Sequence, residues 1–195
     1  MRAAALLLAM TVAQGAWAAC PIAGDLDDGI RMTFADGETR VFRSRKDGTV
    51  EVTGKGGPGS SFRDVLARGV YLVSSSDMGT GAPTDPFEVV YQGDPGDLPA
   101  PAEGPPLRLD VVERADGEDV RVIHEFDWTA RGKVDVGGCA YRALDGVLRV
   151  SERGALVAVE HVRYLPELGF GYLTATGASP SDLDPTPAVA IEAPR

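Results

Sequence analysis

Between Gly29 and Gly54 apolar and polar residues alternate with a period of two. Ile30, Met32 and Phe34 are separated by Arg31 and Thr33; Asp36-Gly37 follows, then Thr39, Val41 and Phe42, then Asp47-Gly48, then Val50 and Val52. Alternation places every second side chain on one face of an extended chain, the pattern of a half-buried strand. Asp-Gly between such runs marks a hairpin, because glycine takes positive φ without a Cβ clash. The segment predicts a three-stranded antiparallel meander.

The rest of the chain follows the same grammar less evenly. Lys55–Ser61 is rich in glycine and serine and predicts a loop. Phe62–Arg68 fits either a helical turn or an irregular strand. Gly69–Val73 and Phe87–Tyr91 predict strands on either side of a Ser74–Pro86 loop. Residues 92–106 hold five prolines and three glycines without periodicity, which predicts a linker or a long surface loop at a possible division of the chain into two halves. Beyond it, Leu107–Val112 and Val120–Phe126 form a hairpin around Asp116-Gly117, with Val120, Val122, His124 and Phe126 on one face. Lys133–Val136 begins another strand. Tyr141–Leu144 and Val147–Ser151 read as a hairpin around Asp145-Gly146. Ala155–Tyr164 and Phe170–Thr176 complete the strands. From Gly177 onward Pro, Ser, Asp and Ala dominate, which predicts a disordered tail over 178–195.

Short strands separated by turn signals, with no long helical pattern, predict an all-β fold. Antiparallel meanders would form a sandwich or a curved, partly closed barrel, ending in a disordered C-terminal tail. One β-rich domain is expected over 19–177, with a possible division near 92–106.

The N-terminus changes the chemical setting. Arg2, the apolar run Ala3–Val12 and Ala16-Trp17-Ala18 have the form of a secretory signal over 1–18. The run is shorter than the roughly 20 residues needed to span a bilayer. A periplasmic or secreted location is therefore expected, with no transmembrane segment in the mature chain. Two cysteines, Cys20 and Cys139, lie beyond the expected cleavage point. In an oxidising compartment such a pair predicts a disulfide. Lipidation of Cys20 is the rival, but Trp17 stands where a lipoprotein signal carries an aliphatic residue, and Cys139 would be left alone.

The chain carries 19 basic and 29 acidic residues, a formal net charge of −10. Such a surface repels nucleic acid and anionic membrane. Chemistry-bearing motifs are sparse. His124 and His161 stand in no catalytic or metal-binding spacing, and each is read as a strand histidine. Asp25, Asp27 and Asp28 resemble part of a calcium loop, but Gly29 takes the place of the next ligand and no Glu closes it. The Gly54–Ser61 loop lacks the Gly-Lys-Ser/Thr ending of a phosphate cradle. No catalytic, metal or cofactor residues are assigned.

The segments Cys20-Pro21, Gly29–Gly37, Gly138–Tyr141 and Tyr164–Gly169 together resemble exported proteins of alphaproteobacteria, a likeness that brings no activity with it. The Tyr-x-Pro-x-x-Gly-x-Gly pattern at Tyr164–Gly171 is similar to one near the end of exported, lipid-carrier-like proteins with curved sheets. That likeness implies a curved sheet around an apolar ligand. The expected function is a non-catalytic exported binding or envelope-associated module, whose partner is a protein or an apolar ligand. The alternatives are a carrier of a lipid or other apolar molecule, and a hydrolase using paired carboxylates.

Overall fold

A computed structural model describes residues 19–55, 60–79 and 86–194. The leader expected at 1–18 lies outside the described residues, as do 56–59 of the glycine-rich loop and 80–85 of the loop before Phe87.

Thirteen strands follow one another: β1 (Ile30–Phe34), β2 (Thr39–Ser44), β3 (Val50–Lys55), β4 (Ser61–Ala67), β5 (Tyr71–Asp77), β6 (Phe87–Val90), β7 (Leu107–Ala115), β8 (Glu118–Val136), β9 (Cys139–Glu152), β10 (Ala155–Leu165), β11 (Phe170–Gly177), β12 (Asp184–Pro185) and β13 (Ala188–Glu192). All belong to one antiparallel sheet, in the order β12-β11-β10-β9-β8-β7-β6-β5-β4-β3-β2-β1-β13. The hydrogen-bonded ladder is not closed, yet its two end strands are joined by Thr186 and Pro187 alone. The Thr186 N–H donates to the Thr174 carbonyl of β11, and the Ala35 N–H, next to β1, donates to the Pro187 carbonyl. The all-β expectation is met in the form of a curved, partly closed barrel.

The expected three-stranded meander is present, with Ile30 opposite Phe42 and Phe42 opposite Val52. Ile30, Met32, Phe34, Phe42, Val50 and Val52 are all buried, so the alternation did report the inward face. Elsewhere the structure differs from the local signals. Asp145-Gly146 makes no turn: β9 runs straight through it. A Cβ on Gly146 would lie 2.4 Å from the Trp128 ring, so glycine here makes room for a cross-strand indole. Asp145 is held in the strand by Arg131 of β8 at 2.6 Å and Arg163 of β10 at 2.8 Å. The two strands expected at Val120–Phe126 and Lys133–Val136 are one, β8, which bends at a register shift between Ala130 and Gly132.

Phe62–Arg68 resolves into β4 rather than a helical turn, and β5 extends the expected Gly69–Val73 strand to Asp77. Residues 92–106 do not divide the sheet. They connect β6 to β7, which pair directly. The segment crosses toward the β4–β5 turn, where Arg68 Nε donates to the Leu98 carbonyl and the Tyr71 hydroxyl to that of Pro99. In the C-terminal segment, 178–183 lie outside any strand, but β12 and β13 are ordered pieces of the sheet. Ile191 pairs with Met32 and is buried, so an apolar residue in an otherwise polar stretch docks the tail.

Two buried clusters make the core. The first joins β1, β2, β3, β11 and β13 with the β8–β9 hairpin, around Phe34, Phe42 and Phe170. The second joins β4–β10, around Tyr71, Phe126 and Trp128. Cys20 and Cys139 are bonded, Cα to Cα 5.5 Å, as expected from their pairing in sequence. The bond ties the N-terminus to the start of β9. Two residues on, the Tyr141 hydroxyl donates to the Pro21 carbonyl at 3.0 Å.

Candidate functional site

Ten strands, β2 through β11, send side chains to one interior cavity of about 280 Å³. Laid flat, ten strands would span roughly 43 Å at ~4.8 Å per step, so a single cavity can touch all of them only because the sheet is rolled. Its walls are mostly apolar, with Phe42, Leu66, Tyr91, Phe126, Leu148 and Val150 among them. Val157 lines the cavity and is 43% exposed, so the cavity reaches the surface beside the start of β10.

Five acidic or basic side chains interrupt this apolar lining: Arg40, Asp64, Glu113, His124 and Glu160. Four of them share one sequence signature. In Phe62-Asp64-Leu66, Leu109-Val111-Glu113, Val122-His124-Phe126 and Ala158-Glu160-Val162, a polar residue occupies an apolar register of a strand. The period-two pattern points such a side chain inward with its neighbours. Only His124 stood out in sequence. The others were lost in a chain full of acids, although an acid in an apolar register is the informative kind.

His124 is 4% exposed. Its Nε2 shares a hydrogen bond with Glu113 Oε1 at 2.9 Å, while its Nδ1 is buried without a hydrogen-bond partner among the described residues. The two residues are not direct cross-strand neighbours. His124 sits opposite Leu109 and Glu113 opposite Val120, so their side chains meet over the Val111–Val122 pair. The expectation of a hydrogen-bonded strand histidine holds for one ring nitrogen only.

Asp64 stands on β4. Burial pushes its carboxyl above the usual range, against a hydrogen bond from Ser75 and the attraction of Arg40. Its Oδ1 is buried and has no partner among the described residues. Glu160 on β10 is also pushed up, chiefly by burial; the nearby His124 pulls it back, and Glu113 and Asp64 repel its charge. Arg40 is already engaged. Its Nε donates to Glu38, and its guanidinium lies 4.4 Å over the Phe34 ring. An unpaired polar atom in a low-dielectric interior costs free energy, which makes these atoms a place where a ligand's polar group gains most.

The other polar residues considered in sequence lie elsewhere. His161 does not line the cavity; its carbonyl accepts from Thr174 Oγ1. Asp25 accepts from the Ile22 N–H and starts a 3₁₀ turn at Ala23–Leu26, while Asp27 bonds the Ser44 hydroxyl. Among the described residues no three His, Cys, Asp or Glu side chains converge as a metal site, and no helix is long and apolar enough to cross a membrane.

Comparison with family models, with curated proteins and with solved structures gave no match.

Proposed function

We propose that this protein is an exported, non-catalytic carrier that holds a small, largely apolar molecule inside its rolled sheet. The observation that carries the reading is the cavity of about 280 Å³ with walls drawn from ten strands. Small-molecule sites are concave, mostly apolar, and set with a few polar groups that fix orientation. The volume lies near the lower end of the roughly 300–1,000 Å³ common for such sites, which suits one short chain or ring system. Export is supported by the leader-like start of the sequence and by the bond between Cys20 and Cys139, which needs an oxidising compartment.

Native mass spectrometry of protein purified without detergent tests the reading. A reproducible small-molecule adduct is expected, and it should vanish in Ala158→Phe, which fills the cavity from β10. An adduct that persists unchanged in that variant would place the ligand elsewhere. Repeated adduct-free spectra, together with no uptake of added alkyl probes, would remove the proposal.

A further inference from the structure

The charges inside the cavity do not cancel, and the remainder has a sign. This inference rests on the carrier reading and extends it to the ligand's head group. Arg40 is matched by Glu38, and Glu113 is engaged by the hydrogen bond it shares with His124 at 2.9 Å. Asp64 and Glu160 are left over. Among the described residues no Lys, Arg or His forms an ion pair with either. Two unmatched carboxyl groups therefore face one small, apolar space, and Asp64 Oδ1 and His124 Nδ1 are buried there without hydrogen-bond partners.

We infer that the cavity takes an organic cation, an ammonium group on an apolar body, with the ammonium held by Glu160 and Asp64. The apolar walls accommodate the body. The N–H donors of a protonated amine answer the free carboxylate oxygens, and charge-assisted hydrogen bonds of this kind are about twice as strong as neutral ones. Phe126, Tyr91 and Tyr172 line the same space, and the face of an aromatic ring attracts a cation. An anionic head, such as a fatty carboxylate, would meet Asp64, Glu113 and Glu160 and be repelled. Among the described residues no ligand set converges for an inorganic cation, which would also waste the apolar wall. In the empty protein the raised carboxyls hold protons more tightly than usual, so binding of the ammonium expels protons and strengthens as pH rises. Arg40, Glu113 and His124 face the same space and enter that balance.

The test compares three probes of equal chain length on the intact, oxidised protein: octylamine, octanol and octanoate, titrated by calorimetry at pH 7.5. Octylamine is expected to bind about tenfold or more tightly than octanol, with octanoate weakest. In Glu160→Gln the amine preference should shrink to within about twofold while octanol binding is retained. If octanol binds and octylamine binds no better, or if octanoate binds best, the head-group inference is overturned and the carrier reading stands. If none of the three binds, the carrier reading itself fails and takes this inference with it. Should Glu160→Gln not fold, the comparison of the three probes on the unaltered chain decides alone.

Discussion

Phe42 of β2 stacks on Phe170 of β11, ring centroids 4.1 Å apart and planes 19° from parallel. The two strands are not hydrogen-bonded to each other: β2 pairs with β1 and β3, β11 with β10 and β12. The contact therefore crosses the interior and holds the curl of the sheet. Both rings are buried. Phe170→Ala should cost about 3–5 kcal/mol, as truncation of a packed core ring does. Phe42→Ala should cost a similar amount, and the double variant less than their sum. Urea midpoints of the four proteins measure this; strict additivity would mean that the stack does not couple the two strands.

The bond between Cys20 and Cys139 closes a loop over a sequence separation of 119. Long loops leave the unfolded chain most freedom to lose, so reduction should cost about 2–5 kcal/mol. Thermal unfolding with and without reductant measures the loss. The Tyr141–Pro21 hydrogen bond lies beside the bridge, so the first 3₁₀ turn should loosen before β1 does. Hydrogen exchange should show Ala23–Leu26 losing protection on reduction while Ile30–Phe34 keeps it. Equal loss over both segments would mean the bridge supports the whole sheet.

Trp128 sits directly over Gly146 on the neighbouring strand, parallel to Phe126 and edge-on to Tyr164. Gly146→Ala would drive a methyl group into the indole and is expected to cost about 1–3 kcal/mol by overpacking. The near-ultraviolet dichroism of the tryptophan should change with it. An unperturbed spectrum and unchanged stability would show that the ring has room to move.

How far the sequence reaches is clear from where it succeeds. The β1–β3 meander was legible because its alternation and its Asp-Gly turns agree, and Cys20 and Cys139 were a pair by simple count. At Asp145-Gly146 the same dipeptide misled, because its meaning there is set by Trp128 and by Arg131 and Arg163, which local pattern cannot see. The tail docks through Ile191, one apolar residue whose partner Met32 is far away in the chain. An apolar cavity entered only as an alternative, through the likeness at Tyr164–Gly171, and its polar groups were hidden for a related reason. Asp64, Glu113, His124 and Glu160 each interrupt an apolar register, but only the rolling of the sheet brings β4 and β10 to the same space as the paired β7 and β8.

Glu160 sets the last expectation. Its carboxyl in the folded protein is pushed above its ordinary value, first by burial and then by Glu113 and Asp64, with His124 opposing. Well below pH 4 it is protonated in both folded and unfolded chains and shifts nothing. As pH rises through the window between the unfolded value, roughly 4.3, and the raised folded value, the unfolded chain gives up its proton first. The folded state then holds the extra proton, so this group's contribution to stability declines with rising pH and stays reduced above the window. Gln cannot ionise. Glu160→Gln should therefore match the unaltered protein in stability near pH 4 and exceed it at pH 8, the gap opening across the window. Asp47, Asp119 and Asp145, whose carboxyls are held below the usual range, act alike in both proteins and drop out of the difference. Paired denaturant titrations from pH 4 to 8 give the curve. A difference that stays flat with pH would show that Glu160 carries no raised affinity for its proton, and one that opens in the opposite direction would show that its charge is welcome in the empty cavity.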